Sequence, residues 1–119
     1  MRLNHDLIRD LLITIEEISN GRINFGVEFI AETHLPDYEL EEVIYHVKQL
    51  AQARLITVPE RSTSYIIDLT WEGHQYIANI RDQTIWSKTK SLINPLGGAT
   101  IDVIKDISKT LVLKSLGGD

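Results

Sequence analysis

The clearest pattern in the chain is a stripe of apolar side chains at helical spacing: Leu40, Val43, Ile44, Val47, Leu50 and Ala51. It predicts a helix over residues 37–53, with Asp37 as its N-cap. A similar stripe, Leu7, Ile8, Leu11, Leu12, Ile15 and Ile18, predicts a first helix over about residues 5–19. Asn4 is placed to cap it, and Asp6 sits in the first turn, where the helix dipole favours an anion. Asn20-Gly21 is a stop signal, because both residues tolerate a left-handed backbone. Between these helices, residues 22–25 alternate polar and apolar and predict a minimal edge strand. Residues 27–34 form a weaker helical pattern, with Val27, Phe29 and Ile30 available to a core. Leu35-Pro36-Asp37 is a turn, since the residue before proline is pushed away from the helical region.

Beyond the strongest stripe the period changes from 3.6 to 2. Residues 55–58 have strand propensity, residues 59–62 have turn chemistry, and residues 64–69 return as the second strand of a hairpin. Thr70 is placed to cap a helix beginning at Trp71, with Tyr76, Ile77 and Ile80 on its apolar side. Ile85, Trp86, Thr89, Leu92 and Ile93 restart the helical pattern, and Asn94-Pro95-Leu96-Gly97-Gly98 breaks it. Thr100 then caps a last helix from Ile101 to about Leu116, closed by Gly117-Gly118. The expectation is a mainly α chain with a small β-hairpin (α+β). A domain over residues 1–93, a linker over 94–100 and a C-terminal amphipathic helix over 101–116 complete it.

The chain of 119 residues is long enough for one modest core, and its 43% apolar and 24% charged content is ordinary for a globular domain. It has no cysteine, so disulfides and thiolate chemistry are excluded. With no secretory pattern at the N-terminus and no long apolar run, it is expected to be cytoplasmic, not integral to a membrane. The net charge of −5 is unevenly placed. Residues 1–82 hold fourteen acidic and seven basic side chains, a balance of −7, while residues 83–119 hold three acids and five lysines, a balance of +2. A nucleic-acid-binding domain ordinarily shows a basic patch instead.

Two resemblances follow. The helix–strand–helix–helix–hairpin order, with the phrase Leu69-Thr70-Trp71-Glu72-Gly73 closing the hairpin, resembles winged helix-turn-helix proteins. In that phrase the leucine ends a strand in the core, the threonine caps a helix and the glycine admits a close approach. Nearly the whole chain is similar to a family of uncharacterised proteins from phages, prophages and bacteria. The matching pieces are His5-Asp6-Leu7-Ile8-Arg9, Ile44-Tyr45-His46-Val47, Leu69-Thr70-Trp71-Glu72-Gly73-His74 and Ile85-Trp86-Ser87-Lys88. That resemblance implies a phage or mobile-element setting and carries no activity, cofactor or functional residue with it.

Candidate chemistry is sparse. His5, His34, His46 and His74 share no metal-type spacing, and structural roles are expected of them. The neighbouring pairs Glu16-Glu17 and Glu41-Glu42 diverge by about 100° on a helix, so neither offers a shared proton site. Gly97-Gly98 lacks the Lys-Ser/Thr of a phosphate loop. No catalytic residue, cofactor or metal is therefore expected. As contacts for a partner or for nucleic acid, the helix over 37–53 and the turn after it offer Tyr45, Lys48, Gln49 and Arg61. Gln49 suits adenine and Arg61 suits a minor groove, but Glu39, Glu41 and Glu42 would face phosphates.

The last helix is apolar over a wider arc than one packing surface covers, which makes Ile104, Ile107 and Leu111 candidates for self-association, most simply as a two-fold dimer. The alternatives for that helix are folding back on Trp71 and Trp86, or lying on a membrane surface through Lys105, Lys109 and Lys114. The functional expectation is a non-enzymatic accessory or regulatory protein that acts by binding a protein partner or itself. A DNA-binding regulator is the alternative, and an enzyme of unknown class the second alternative.

Overall fold

The computed structural model describes residues 1–117 and is mainly helical, with two short antiparallel strand pairs. Its elements run α1 (His5–Ile18), β1 (Phe25–Gly26), α2 (Val27–His34), α3 (Leu40–Gln52), β2 (Ile56–Thr57), β3 (Tyr65–Ile66), β4 (Asp68–Leu69), α4 (Trp71–Ile80), α5 (Gln83–Ile93), a 3-10 turn (Asn94–Leu96) and α6 (Ile101–Gly117). Contacts divide the chain into two units at Gln75/Tyr76, within α4.

In the first unit, α1 is amphipathic as its stripe predicts, and Leu7, Ile8, Leu11, Leu12 and Ile15 are fully buried. Asn4 caps it: its side-chain oxygen accepts from the Leu7 N–H at 3.1 Å. The helix stops at Ser19, and Gly21 takes the left-handed conformation with φ 77°. Asn20 holds that turn by accepting from the N–H groups of Arg22 and Ile23. Helix α2 matches the predicted 27–34 and buries Val27, Ile30 and Ala31. It packs against α3, where Val43, Val47 and Leu50 are buried.

Two expectations are corrected here. Asp37 does not cap α3. The helix begins three residues later, behind Glu39, and Glu39 makes no side-chain cap bond. The Tyr38 N–H instead closes a turn onto the Leu35 carbonyl at 3.2 Å, and the Tyr38 hydroxyl donates to Asp10 on α1 at 2.8 Å. That pair holds the chain in a turn until Glu39. The returning strand is also shared. Ile56 and Thr57 pair with Leu69 and Asp68, as the hairpin predicts. Tyr65 and Ile66 pair instead with Gly26 and Phe25 of β1. The edge strand expected over residues 22–25 is thus present at its last residue and extends to Gly26.

The phrase Leu69-Thr70-x-x-Gly73 joins α3, β2 and α4. Helix α3 ends in the two backbone bonds of a Schellman motif, from Leu55 N–H to the Leu50 carbonyl and from Arg54 N–H to the Ala51 carbonyl. Arg54 occupies the left-handed position, φ 61°, that glycine usually takes. The carbonyl of Arg54 accepts the Thr70 hydroxyl at 2.6 Å, and the Thr70 oxygen accepts the Gly73 N–H at 3.0 Å, capping α4. Gly73 is buried, and a Cβ there would overlap the Leu55 carbonyl oxygen and lie 3.4 Å from Leu69 Cβ. The glycine is needed because helix α4 begins against the backbone at the start of β2.

In the second unit, α5 and α6 pack on each other. Asp82 caps α5 by accepting from the Ile85 N–H at 2.9 Å, and Thr100 caps α6 by accepting from the Val103 N–H at 3.2 Å. Tyr76, Ile77, Ile80, Ile85, Trp86, Ile93 and Ile104 are buried. Burial pushes the Tyr76 phenol above the usual tyrosine range. Residues 94–100, expected as a linker, join α5 to α6 through the 3-10 turn and the left-handed Gly97. Helix α6 continues through Gly117; Gly118, the other half of the expected stop, lies outside the described residues. Trp71, one of the two indoles that the alternative reading of α6 would fold it onto, is 72% exposed, whereas Trp86 is buried.

Candidate interaction face

The contacts the sequence offers a partner lie on the outer side of α3 and in the turn between β2 and β3. The inner side is fixed by a buried histidine. His46 is fully buried, with both ring nitrogens bonded: the Asn4 N–H donates to Nε2 at 2.8 Å, and Nδ1 lies 2.8 Å from the Glu42 carbonyl. Because Nε2 must accept, Nδ1 carries the proton and donates to that carbonyl. The imidazole thereby ties the start of α1 to the first turns of α3. With His46 facing inward, Glu41, Tyr45, Lys48 and Gln52 fall on the outer side by helical spacing.

Of the predicted contacts, Lys48 is exposed and Tyr45 is half-buried, its ring edge-on to His46 at a centroid distance of 5.5 Å. Gln49 is half-buried, and Arg61 is exposed in the turn with a left-handed backbone, φ 67°. Lys48 alone of the four lines a cleft of about 510 Å³, together with Val27 and Glu28 from α2, Ile44 from α3 and Thr63, Ser64 and Tyr65 from the other wall. Tyr45, Gln49 and Arg61 lie outside that lining. Sequence reasoning missed Glu28, Ile44 and Tyr65 as members of this face. Tyr65 was legible in principle: in a strand where Ile66 points to the core, its neighbour points outward, and Tyr65 is 49% exposed. Ile44 was counted as core, yet it is only half-buried because it sits at the edge of the stripe.

Electrostatically the face begins with carboxylates. Glu39 and Glu41 are exposed at the start of α3, and half-buried Glu42 lies 3.5 Å from the Asn4 side-chain nitrogen. Thirteen acidic and six basic side chains leave the unit at −7. Burial, then donation to the Asp10 carboxylate, push the Tyr38 phenol above its ordinary range, so it is a fixed hydrogen-bond donor and no proton source. His74 Nδ1 lies 3.8 Å from Glu16 Oε2, linking α4 to α1. Among the described residues no three His, Cys, Asp or Glu side chains converge to hold a metal ion. Nor is any described helix long and apolar enough to cross a membrane.

The self-association candidates on α6 divide. Ile104 is fully buried within the chain, while Ile107 and Leu111 are half-buried. The large exposed apolar side chains of α6 are Val103, Leu113 and Leu116.

A protein of Haemophilus influenzae, named only as an uncharacterized protein, is 31% identical over 126 aligned positions, which cover 98% of this chain and 99% of the relative. No solved structure matches the chain. Residues 2–99 match the family described as "Hypothetical protein (DUF2513)", and the chain belongs to that family.

Proposed function

We propose that this chain is a non-enzymatic, phage-type accessory or regulatory protein of the cytoplasm, built on a winged helix-turn-helix and acting by binding protein. The element order supports the scaffold: α2 and α3 are joined by a short turn, and the strands after α3 close onto β1 and each other around the loop that carries Arg61. In such a scaffold α3 takes the place of the recognition helix, whose N-terminal residues would meet base edges and phosphates.

The observation that carries the choice of partner is the exposed Glu39 and Glu41 at that end of α3, with Glu42 half-buried beside them. Carboxylates there repel a phosphate backbone, and Lys48 and Arg61 supply too few cations to offset them by counterion release. A cleft lined by Ile44, Val27 and Tyr65 beside one lysine and one glutamate suits a protein surface of mixed character. DNA binding by a transcriptional regulator is the second reading, favoured by the exposure of both Lys48 and Arg61.

A fluorescence-anisotropy titration with random duplex DNA separates the two. Binding is expected no tighter than the non-specific range of about 10⁻⁴–10⁻⁶ M at physiological salt. Submicromolar binding with a steep salt dependence, lost in Lys48→Ala and Arg61→Ala, would replace this reading with the DNA-binding one.

A further inference from the structure

Four acids and six bases leave the second unit at +2, against −7 for the first. Its α5–α6 pair bears two adjoining depressions of about 560 and 400 Å³ that share Lys88 and Leu111. Their apolar part is Leu111, Leu92 and the edge of Ile85, with Leu92 53% exposed. Their cations are Lys88 and Lys114, both exposed. The acid in the lining, Asp82, spends a carboxylate oxygen on capping the Ile85 N–H. The groove thus sets an apolar strip beside two lysines, with Asp82 and the hydroxyls of Thr84, Ser87, Ser91 and Ser115 completing its wall and a net positive charge left on it.

The first unit presents the converse. On α2, Glu28 and Glu32 are exposed four residues apart, and Phe29 beside them is 51% exposed. At about 100° per residue the three lie within roughly a third of the helix circumference, so an apolar anchor stands next to two carboxylates on one face. Phe29 rests edge-on against His34 at 6.0 Å, which steadies the ring in that exposed position.

We propose that the α5–α6 groove of one copy receives the α2 face of a second copy. Phe29 sits on Leu111 and Leu92, while Glu28 and Glu32 meet Lys88 and Lys114. The inference rests on the association reading above and gives it a second surface and an occupant. Charge selects this pairing over groove against groove, which would oppose lysines, and over α2 against α2, which would oppose glutamates. The contact is heterologous, so it closes into a ring or reciprocal pair, or else runs on as an open chain.

Sedimentation velocity on the full chain tests it, with concentration and salt varied. The expected result is association that grows with concentration and weakens as salt rises. Lys88→Glu with Lys114→Glu should weaken it at least about tenfold, and so should Glu28→Lys with Glu32→Lys, because each puts like charges across the contact. Mixing the two double variants should restore association, since the basic α2 of one then meets the acidic groove of the other. Leu92→Asp, at an exposed position, is a further variant that should dissociate the copies while circular dichroism stays unchanged.

A chain that is monomeric at every concentration overturns the proposal. So does association that persists through both charge reversals and is lost instead in Leu113→Asp, which would assign it to the outer side of α6. Monomers that bind phosphatidylserine vesicles through Lys88 and Lys114 would likewise overturn it. The duplex titration reads the α3 face, with Lys48 and Arg61 untouched here, so failure of this proposal is distinguishable from failure of the reading it rests on.

Discussion

The two units draw their side-chain hydrogen bonds from different distances along the chain. In the first, beside local bonds such as that of His46 to the Glu42 carbonyl, three join residues distant in sequence: Asn4 with His46, Asp10 with Tyr38, and Arg54 with Thr70. In the second, buried Thr89 donates to the Ile85 carbonyl one turn back at 2.7 Å, and buried Ser108 donates to the Lys105 carbonyl at 3.1 Å. The remaining burial there is mainly apolar, centred on Trp86, whose ring has the Lys90 ammonium 5.8 Å from its centroid, and the buried Tyr76 hydroxyl has no hydrogen-bond partner among the described residues. A polar group satisfied on its own helix constrains nothing beyond that helix. One satisfied across 16 to 42 residues fixes where two elements meet. The first unit is thus specified by a few polar junctions, and the second by the shape of its helix pair.

Substitutions at those junctions break the comparison most severely. Gly73→Ala should cost about 3 kcal/mol, at the upper end for overpacking, because the new methyl meets the Leu55 backbone, which has no rotamer with which to yield. Urea denaturation gives the figure, and an unchanged midpoint would show that β2 can move away from α4. His46→Leu should follow at about 2 kcal/mol, since filling the same volume leaves the Asn4 N–H without its acceptor and unties α1 from α3, while the Glu42 carbonyl keeps its helical N–H partner. Amide exchange localises the loss: Leu7 and Ile8 at the start of α1 should lose protection first.

Arg54→Gly has the opposite sign. It should stabilise by about 0.5–1 kcal/mol, because glycine adopts φ 61° without strain and the carbonyl that accepts Thr70 is retained. A raised melting temperature in calorimetry checks it. Thr89→Val sharpens the contrast as the smallest effect, under about 0.5 kcal/mol, since the Ile85 carbonyl keeps its helical N–H partner when the hydroxyl is removed. A cost equal to that of His46→Leu would erase the distinction between the units.

Legibility followed the same division. Asn4, Thr70 and Thr100 cap helices as the sequence predicts, because a cap needs only a short polar side chain two or three residues before the N–H it accepts from. The breaker after Ile93 and the stop after α1 were legible for the same local reason. The candidate face was legible in part. Lys48 could be placed outward from its helical phase, but the cleft could not, since it requires Tyr65 and Val27 to come beside it through the β1–β3 pairing. Asp37 has the chemistry of a cap and lost that role to a bond between Tyr38 and a residue 28 positions earlier.

What the sequence determined by itself is the run of helices, most of their ends, the period change at residue 55 and the opposed charge of the two parts of the chain. Each of these depends on neighbours within a turn or on simple composition. The tertiary structure alone decided that His46 faces inward, that β3 is shared between partners, that Gly73 abuts the Leu55 carbonyl, and which side of α6 is covered. Those outcomes depend on contacts between residues far apart in sequence. A single residue's propensity or periodicity carries no record of its distant partner, so the pattern can mark a side chain as buried or polar without naming what it will meet.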